Sequence, residues 1–307
     1  MRRAPRRGFL AAGAAVVLVL ATVLALYPRQ TISRLTHLGG SPRHTEPIPP
    51  FSHEDPPMLR LAALGDVGYS GRRAEATGET AAALEEQQEY DVLLLLGDNV
   101  YPAGDPARLG ETVFGPLAPV LDGGTRLVAI LGNHDVVEGH GDAQARALGM
   151  PGRWYAARFP DVLIVALDST QVASETQRDW LEATLASATE TWRIVVVHHP
   201  PYSAGYQGSN LAVRRAYTPL FERFGVQLVL SGHDHDYQRS RPIRGVTYVV
   251  TGAASETRRT GSKAFTAFST SWHSFADVAV FDGRLIVRGV NQDVRMFDEV
   301  AVLPSPA

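Results

Sequence analysis

The sequence predicts an α/β fold in which two β-sheets pack face to face with helices on their outer surfaces, an αββα sandwich. Two observations lead to this prediction. Short apolar runs alternate with helix-forming segments as far as Leu230, and runs that are apolar throughout are typical of strands buried on both faces. The residues after Leu230 contain strands with little helix between them, which a second sheet would accommodate.

The predicted elements follow one another closely along the chain. Strands are predicted at Leu59–Leu64, Asp91–Leu96, Arg126–Leu131, Val162–Leu167, Arg193–Val197 and Val226–Leu230, with Arg153–Phe159 paired to the fourth. Helices are predicted at Arg72–Glu89, Gln177–Ser187 and Asn210–Phe224. Later strands are predicted at Val246–Val250, Phe275–Phe281 and Leu285–Val290. The last two flank Asp282-Gly283, which is a strong hairpin signal.

Residues 1–27 are predicted to be a membrane anchor or signal segment. A head with four arginines precedes Phe9–Tyr27, which has 19 residues and no charge, close to the ~20 residues that span a bilayer. A basic flank keeps the N-terminus in the cytoplasm, so we expect a membrane-anchored or exported protein whose folded domain is extracytoplasmic. We favour an uncleaved anchor, although Val23-Leu24-Ala25 offers a cleavage site. Arg6-Arg7 fits a twin-arginine export signal and a simple basic flank equally well.

Residues 28–57 are predicted to be a linker, and residues 58–307 to be the folded domain. The linker segment holds seven prolines, a density that produces an extended, semi-rigid spacer. The chain has no cysteine, which excludes disulfides, thiolate metal sites and cysteine nucleophiles. The net charge of −3 provides no basic surface for nucleic acid.

Polar motifs directly follow five of the predicted strands. They contain seven candidate metal ligands, which are Asp66, Asp98, Tyr101, Asn133, His198, His233 and His235. Loops at strand ends are where α/β proteins build their sites. Oxygen donors combined with imidazoles suit iron, zinc or manganese. Two adjacent ions need a shared ligand, and Asp98 is the obvious candidate because other ligands flank it on both sides in the sequence.

The order of these motifs resembles that of the calcineurin-like metallophosphoesterases. The motifs are Gly65-Asp66-Val67-Gly68, Gly97-Asp98-Asn99-Val100-Tyr101, Gly132-Asn133-His134-Asp135, Val195-Val196-Val197-His198 and Gly232-His233-Asp234-His235. Most members of that superfamily carry aspartate at the position of Tyr101, whereas purple acid phosphatases carry tyrosine. The set looks most like the small tartrate-resistant acid phosphatases, and the resemblance extends from about Leu59 to Val300.

The resemblance implies a phosphomonoesterase with a binuclear metal centre, in which a metal-bound hydroxide attacks a phosphoester substrate. It implies ferric iron at Asp66, Asp98, Tyr101 and His235. It also implies a divalent iron, zinc or manganese ion at Asp98, Asn133, His198 and His233. Asn133 and His134 would contact the phosphate, and His134 would protonate the leaving group. A phosphodiesterase or nucleotidase of the same superfamily remains an alternative, as does a non-catalytic surface binding protein.

The sequence departs from the family pattern at one position. The family has a second histidine near the phosphate nine or ten residues after the position of His198, where this chain has Gln207 and Gly208. Gln207 can bind phosphate but cannot act as an acid. The pH optimum and the leaving-group preference are therefore open.

Several neighbouring residues have more than one interpretation. The family pattern His-x-Pro selects His198 as the ligand because Pro200 follows it at +2, so His199 is expected to lie behind the ligands or in the wall of the site. Asp135 either orients His134 or caps the next segment. A solvated loop is favoured over an anion-attracting surface for Arg239, Arg241 and Arg244. Pocket lining and ordinary packing are equally open for Tyr202, Tyr206 and Tyr237.

Overall fold

The computed structural model describes residues 45–52, 55–85 and 89–305. The predicted N-terminal anchor, residues 1–27, and most of the predicted linker lie outside the described residues. Within the described part of the chain, no helix is long and apolar enough to cross a membrane.

Two mixed seven-stranded sheets form the centre of the protein, which confirms the predicted fold class. The first sheet has the order β1-β14-β13-β12-β2-β3-β4 and the second the order β11-β9-β10-β8-β7-β6-β5. The strands of the first sheet are β1 (Glu46–Pro47), β2 (Leu59–Leu64), β3 (Val92–Leu96), β4 (Arg126–Ile130), β12 (Ser274–Val280), β13 (Leu285–Asn291) and β14 (Arg295–Val302). Those of the second are β5 (Tyr155–Phe159), β6 (Val162–Leu167), β7 (Trp192–Val197), β8 (Leu228–Ser231), β9 (Tyr237–Ser240), β10 (Thr247–Thr251) and β11 (Thr266–Thr270).

Helices cover the outer faces of the two sheets. They are α1 (Arg72–Glu85), α2 (Gly115–Leu121), α3 (Gly141–Ala147), α4 (Glu175–Ala186) and α5 (Leu211–Arg223), with single turns at Pro106–Arg108, Gly110–Phe114, Val137–Gly139 and Ser169–Gln171. The two helices of the second sheet begin at side-chain caps. Ser174 Oγ accepts a hydrogen bond from the Gln177 N–H, and Asn210 Oδ1 accepts from Ala212 and Val213.

The parallel strands bring the predicted motifs to one edge of the molecule. β2, β3 and β4 pair in parallel in the first sheet, as do β6, β7, β8 and β10 in the second. The register places Leu96 opposite Ile130 and Val196 opposite Leu230. Because the carboxyl ends of parallel strands lie side by side, the loops that follow them converge.

The main core lies between the sheets. Leu94 and Ile130 of the first sheet belong to the same buried cluster as Ile164 and Leu230 of the second. The opposite strand faces pack against helices, so these strands are buried on both sides. At the end away from the motifs, fully buried Trp192 donates from Nε1 to the Phe281 carbonyl across 3.0 Å, which ties the second sheet to the first.

Several elements differ from the sequence prediction. Strand β1 lies inside the predicted linker, where Glu46 pairs with Met296 and Thr45 accepts hydrogen bonds from Arg295. Proline is tolerated there because β1 is an edge strand. β9, β11 and β14 were not predicted, because their burial patterns are mixed and their sequences lack continuous apolar character. Helices α2 and α3 are short and contain glycine or proline, which hides their periodicity.

Candidate metal centre

The first sheet presents oxygen donors at the ends of adjacent strands. Asp66 follows β2, Asp98 follows β3 and Asn133 follows β4. Asp66 and Asp98 adopt φ values of 60° and 53°, which are uncommon for residues other than glycine. Such strained residues persist where surrounding structure holds them, and they concentrate at functional sites.

The glycines before the ligands permit the strand ends to approach one another. A Cβ atom on Gly232 would lie 2.5 Å from Asp66 Oδ2. One on Gly97, which has a φ of +87°, would lie 2.6 Å from the backbone nitrogen of Gly132. Real Cβ contacts are not this short, so the Gly-Asp and Gly-His pairs of the motifs have a packing reason.

The Tyr101 hydroxyl lies among three predicted ligands. It is 2.8 Å from Asp66 Oδ1, 3.0 Å from Asp98 Oδ2 and 2.9 Å from His235 Nε2. His235 Nε2 is also 3.2 Å from Asp66 Oδ1. All four side chains are buried. One phenol, two carboxylates and one imidazole therefore lie within contact distance of one another.

A second group forms around His198. Its Nε2 lies 3.2 Å from Asn133 Oδ1 and 3.4 Å from Asp98 Oδ2. Its Nδ1 donates to the Leu96 carbonyl across 2.8 Å. That bond makes Nε2 the nitrogen that could bind a metal, and such a bond is the usual support for a metal-binding imidazole. The His233 ring centre is 5.1 Å from that of His198.

One oxygen atom belongs to both groups. Asp98 Oδ2 is 3.0 Å from the Tyr101 hydroxyl and 3.4 Å from His198 Nε2. The other oxygen, Oδ1, accepts from the His134 N–H across 2.9 Å. The structure therefore brings all seven predicted residues together in two groups, with Asp98 between them.

The charges of this cluster fit bound cations. Among the described residues, the ion pairs of Asp66 and Asp98 are with histidines and not with arginine or lysine, although a buried carboxylate needs compensating charge. Burial is the largest cause that raises the pKa of Tyr101 well above its usual range, and the negative charges of Asp66 and Asp98 act in the same direction. Burial acts against the charged form of His198, but Asp98 outweighs it and raises the pKa of His198 to about 10. Metal ions would replace these protons and supply the missing charge.

His134 lies beside this cluster and has one committed nitrogen. Its Nδ1 donates to the Pro102 carbonyl across 2.6 Å, so Nε2 is the atom that can exchange a proton. The ring centre is 4.6 Å from that of Tyr101. His134 is partly exposed, as expected for a residue that meets a substrate.

Asp135 does neither of the two things predicted for it. It is fully buried, and its carboxylate accepts hydrogen bonds from the backbone of Gly132, Asn99 and Val100 and from the Asn99 side chain. It therefore ties the loop after β3 to the loop after β4. Burial is the largest cause that raises the pKa of Asp135, to about 7, and the negative charge of Asp98 is the second.

His199 lies directly against the ligand histidines, which fits the first of its two predicted positions. Its ring centre is 4.4 Å from that of His233, and ring nitrogens of His198, His199 and His233 lie within 4.8 Å of one another. His199 Nδ1 is 2.8 Å from Ser169 Oγ. Gln207, at the family's second histidine position, has an exposed side chain, and its N–H donates to Asp234.

The three arginines after the last motif, together with Tyr202 and Tyr237, contact other parts of the protein, although Arg244 remains largely exposed as predicted. Arg239 forms two 2.7 Å hydrogen bonds with Asp298, Arg241 donates to the carbonyls of Ala264 and Thr266, and Arg244 pairs with Glu222. The solvated-loop interpretation was wrong for Arg239, which is largely buried. Tyr237 is in the core and also bonds Asp298. Tyr202 packs against Tyr248, so the packing interpretation holds for both tyrosines.

Sequence reasoning missed two residues next to the cluster, Tyr69 and Glu256. The Tyr69 ring stacks on Tyr101 with 4.1 Å between centres. Glu256 Oε2 lies 3.2 Å from His235 Nδ1. Both residues line a cavity of about 340 Å³. A signal existed for each, since Tyr69 directly follows the first motif and Glu256 follows β10, another parallel strand that ends at this edge.

Relatives of known activity share much of this chain. Tartrate-resistant acid phosphatase type 5 of Oryctolagus cuniculus is 26% identical over 253 residues, which cover 69% of this chain and 78% of that protein. Purple acid phosphatase 17 of Arabidopsis thaliana is 27% identical, over 63% of this chain and 68% of that protein.

Solved structures share the fold. Purple acid phosphatase PPD1 from yellow lupin (Lupinus luteus) seeds has a TM-score of 0.70 and 16% identity, over 80% of this chain and 53% of that one. GAP50, titled the anchor in the inner membrane complex of Plasmodium, has a TM-score of 0.69 and 18% identity, over 81% of this chain and 89% of that one. A family model described as calcineurin-like phosphoesterase matches residues 59–237, more than half of this chain. The chain belongs to the calcineurin-like phosphoesterase family.

Proposed function

We propose that the protein is a phosphomonoesterase of the acid phosphatase type with a binuclear metal centre. The observation that carries this proposal is the convergence of Asp66, Asp98 and His235 within 3.0 Å of the Tyr101 hydroxyl. A buried phenol surrounded by two carboxylates suits a hard, highly charged ion. The similarity to acid phosphatases points to phosphoester substrates.

The proposed ligand sets follow the two groups of side chains. Ferric iron would be held by Asp66, Asp98, Tyr101 and His235, and a divalent iron, zinc or manganese ion by Asp98, Asn133, His198 and His233. When bound, the ions supply positive charge to the phosphoryl oxygens and lower the pKa of water. Asp98 belongs to both proposed ligand sets.

The chain itself would supply phosphate contacts and a proton. Asn133 and His134 adjoin the cluster, and the Pro102 carbonyl keeps a proton on His134 Nδ1. His134 Nε2 is then the atom that delivers a proton to the leaving oxygen, as a positioned general acid does. Gln207 offers no second acid at this edge.

Metal analysis of purified protein, a visible spectrum and a panel of phosphoesters test the proposal together. We expect two metal ions per chain, a phenolate-to-iron absorption band and hydrolysis of phosphomonoesters in preference to diesters. Two zinc or manganese ions in a colourless active protein would overturn the iron assignment alone. A chain that binds no metal and hydrolyses no phosphoester would favour the non-catalytic alternative. Preference for diesters or nucleotides would favour the other enzymatic alternative.

We also propose that the domain acts outside the cytoplasm, anchored or exported through residues 1–27. The support is the arginine-rich head followed by 19 uncharged residues. Fractionation of cells that express the full-length chain tests this. Recovery of the intact chain in the soluble cytoplasmic fraction would rule it out.

A further inference from the structure

Glu256 contacts the proposed ferric site without being one of the seven candidate ligands. Its Oε2 lies 3.2 Å from His235 Nδ1. Both atoms are buried, and although they lie this close together their geometry falls short of a hydrogen bond; neither has a hydrogen-bond partner elsewhere among the described residues. Because an unpaired buried polar atom is costly, the short distance indicates that each atom is the other's natural partner.

The opposite nitrogen of the same ring faces the cluster. His235 Nε2 lies 2.9 Å from the Tyr101 hydroxyl and 3.2 Å from Asp66 Oδ1. The imidazole is therefore held between the proposed metal position and Glu256. A carboxylate behind a ligating imidazole sets the ring's orientation and makes it a stronger donor.

Glu256 also reaches the other side of the proposed ferric site through Tyr69. The Tyr69 hydroxyl faces the Glu256 carboxylate, and both side chains line the same cavity. The Tyr69 ring stacks on Tyr101 at 4.1 Å, with 18° between the ring planes. Tyr101 and His235 are proposed ligands of the ferric ion alone, so this contact network belongs to one ion and not to the pair.

Arg258 restricts where Glu256 can move. Its guanidinium lies 3.8 Å from Glu256 Oε2, and its backbone N–H donates to the His235 carbonyl across 2.7 Å. The loop after β10 is thus attached to the last motif by backbone and by charge. Without this attachment, Glu256, whose side chain is 37% exposed, would be free to turn towards solvent.

We propose that Glu256 is a positioning residue that holds His235 through Nδ1 in its metal-binding orientation, and that Tyr69 extends the same support to Tyr101. This inference rests on the proposed function, because it assigns Glu256 to the ferric half of the proposed centre. The carboxylate makes His235 a stronger donor and so favours the ferric state. Its loss makes the ion easier to reduce and moves the phenolate-to-iron band to longer wavelength.

The test compares variants of the full-length chain by metal affinity and visible spectrum. Glu256→Ala should weaken binding of one ion by about 10–100-fold, the usual effect of losing such a partner, and leave the other ion in place. The band should move to longer wavelength. Glu256→Gln retains an oxygen acceptor and should restore most of the affinity. Tyr69→Phe retains the stacked ring and should produce a smaller shift in the same direction.

Glu182→Gln is the matched control. The Glu182 side chain is 38% exposed and pairs with Arg223 at 2.8 Å, so it resembles Glu256 in exposure and in having an arginine neighbour. It lies on α4, away from the motif loops. Metal affinity and spectrum should be unchanged in this variant.

Three results would contradict the inference, and they differ from one another. If wild-type protein binds two ions and Glu256→Ala has the same affinities and band, Glu256 does not position His235, while the proposed function stands. If Glu256→Ala weakens both ions equally, the residue supports the whole edge and not one ligand, and the inference again fails. If wild-type protein binds no metal, the proposed function and this inference fail together. A colourless wild type with two zinc ions leaves the affinity comparison as the deciding measurement.

Discussion

The two sheets contribute different chemistry to the candidate metal centre. Every oxygen donor follows a strand of the first sheet, and these are Asp66, Asp98, Tyr101 and Asn133. Every nitrogen donor follows a strand of the second sheet, and these are His198, His233 and His235. Neither sheet alone could complete the ligand set of either proposed ion. The centre is therefore a product of sheet packing, and metal binding should depend on it.

The contrast extends to how each half is held. Asp66 and Asp98 lie on strained turns, as does His233 of the second sheet, and Asp135 ties the loop after β3 to the loop after β4 through backbone hydrogen bonds. Two of the histidines have a partner at the second ring nitrogen: His198 donates to the Leu96 carbonyl, and His235 lies 3.2 Å from Glu256, which we propose orients it. Loss of a support should therefore displace a loop in the first sheet and rotate a ring in the second.

Asp98→Asn should have the largest effect on activity, because Asp98 Oδ2 is the atom that reaches both groups. We expect metal content to fall for both ions and phosphatase activity to fall to background, as measured by elemental analysis and initial rates. Asp142→Asn is the control, since the Asp142 side chain is 73% exposed. Retention of both ions in Asp98→Asn would show that the two halves bind metal independently.

His134→Ala should have the next largest effect, because it removes a proton donor and leaves the ligands intact. Turnover should fall by roughly 10²–10⁴-fold, the usual contribution of general acid–base catalysis, and most for alkyl phosphates, whose leaving groups need protonation. His140→Ala is a matched control, since His140 Nδ1 also contacts a carbonyl of the same loop, that of Ala103, at 2.9 Å. Loss of metal from His134→Ala, or equal defects with alkyl and aryl phosphates, would exclude the acid role.

Tyr101→Phe should affect one proposed ion and leave the other in place. It removes one donor of the first sheet while leaving the imidazoles of His198 and His233 in place, so the visible band should disappear and the divalent ion should remain. Spectroscopy and metal analysis measure these two results, and circular dichroism checks the fold. A band that survives the substitution would show that Tyr101 does not bind iron.

Trp192→Phe should affect the packing of the sheets and leave the site intact. The substitution removes the hydrogen bond to the Phe281 carbonyl at the end away from the motifs. Leaving that buried carbonyl unpaired should lower the free energy of unfolding by about 1–3 kcal/mol, as measured by denaturant titration. Metal content at low temperature should match wild type. A large loss of metal would mean that sheet packing at the far end controls the centre.

The sequence was sufficient to predict strands whose burial is complete. β6 has the predicted bounds, and β2 does as well, because each is a continuous or nearly continuous apolar run. Edge elements were missed for the opposite reason. β1 consists of Glu46 and Pro47 and becomes a strand only because β14 offers it a partner. Pairing of that kind leaves no periodic signal in the chain.

The candidate ligands were predictable for a similar local reason, since each is a metal-binding residue type directly after a strand or in the loop that follows it. The supports were harder to predict. Asp135 had two local interpretations, and its actual role is to join two loops that are more than thirty positions apart in the chain, through hydrogen bonds to Asn99. Glu256 is 21 positions beyond His235, the residue that it contacts.

The sequence by itself determined the family, the two-sheet architecture and the identity of the seven clustered residues, because apolar runs and short motifs are local properties of the chain. Only the tertiary structure decided that Asp98 Oδ2 lies between the two groups, that Asp66 and Asp98 adopt left-handed backbone conformations, and that Glu256 and Tyr69 surround one half of the centre. These features depend on distances between loops of different sheets. Such distances arise from packing, and no local pattern records them.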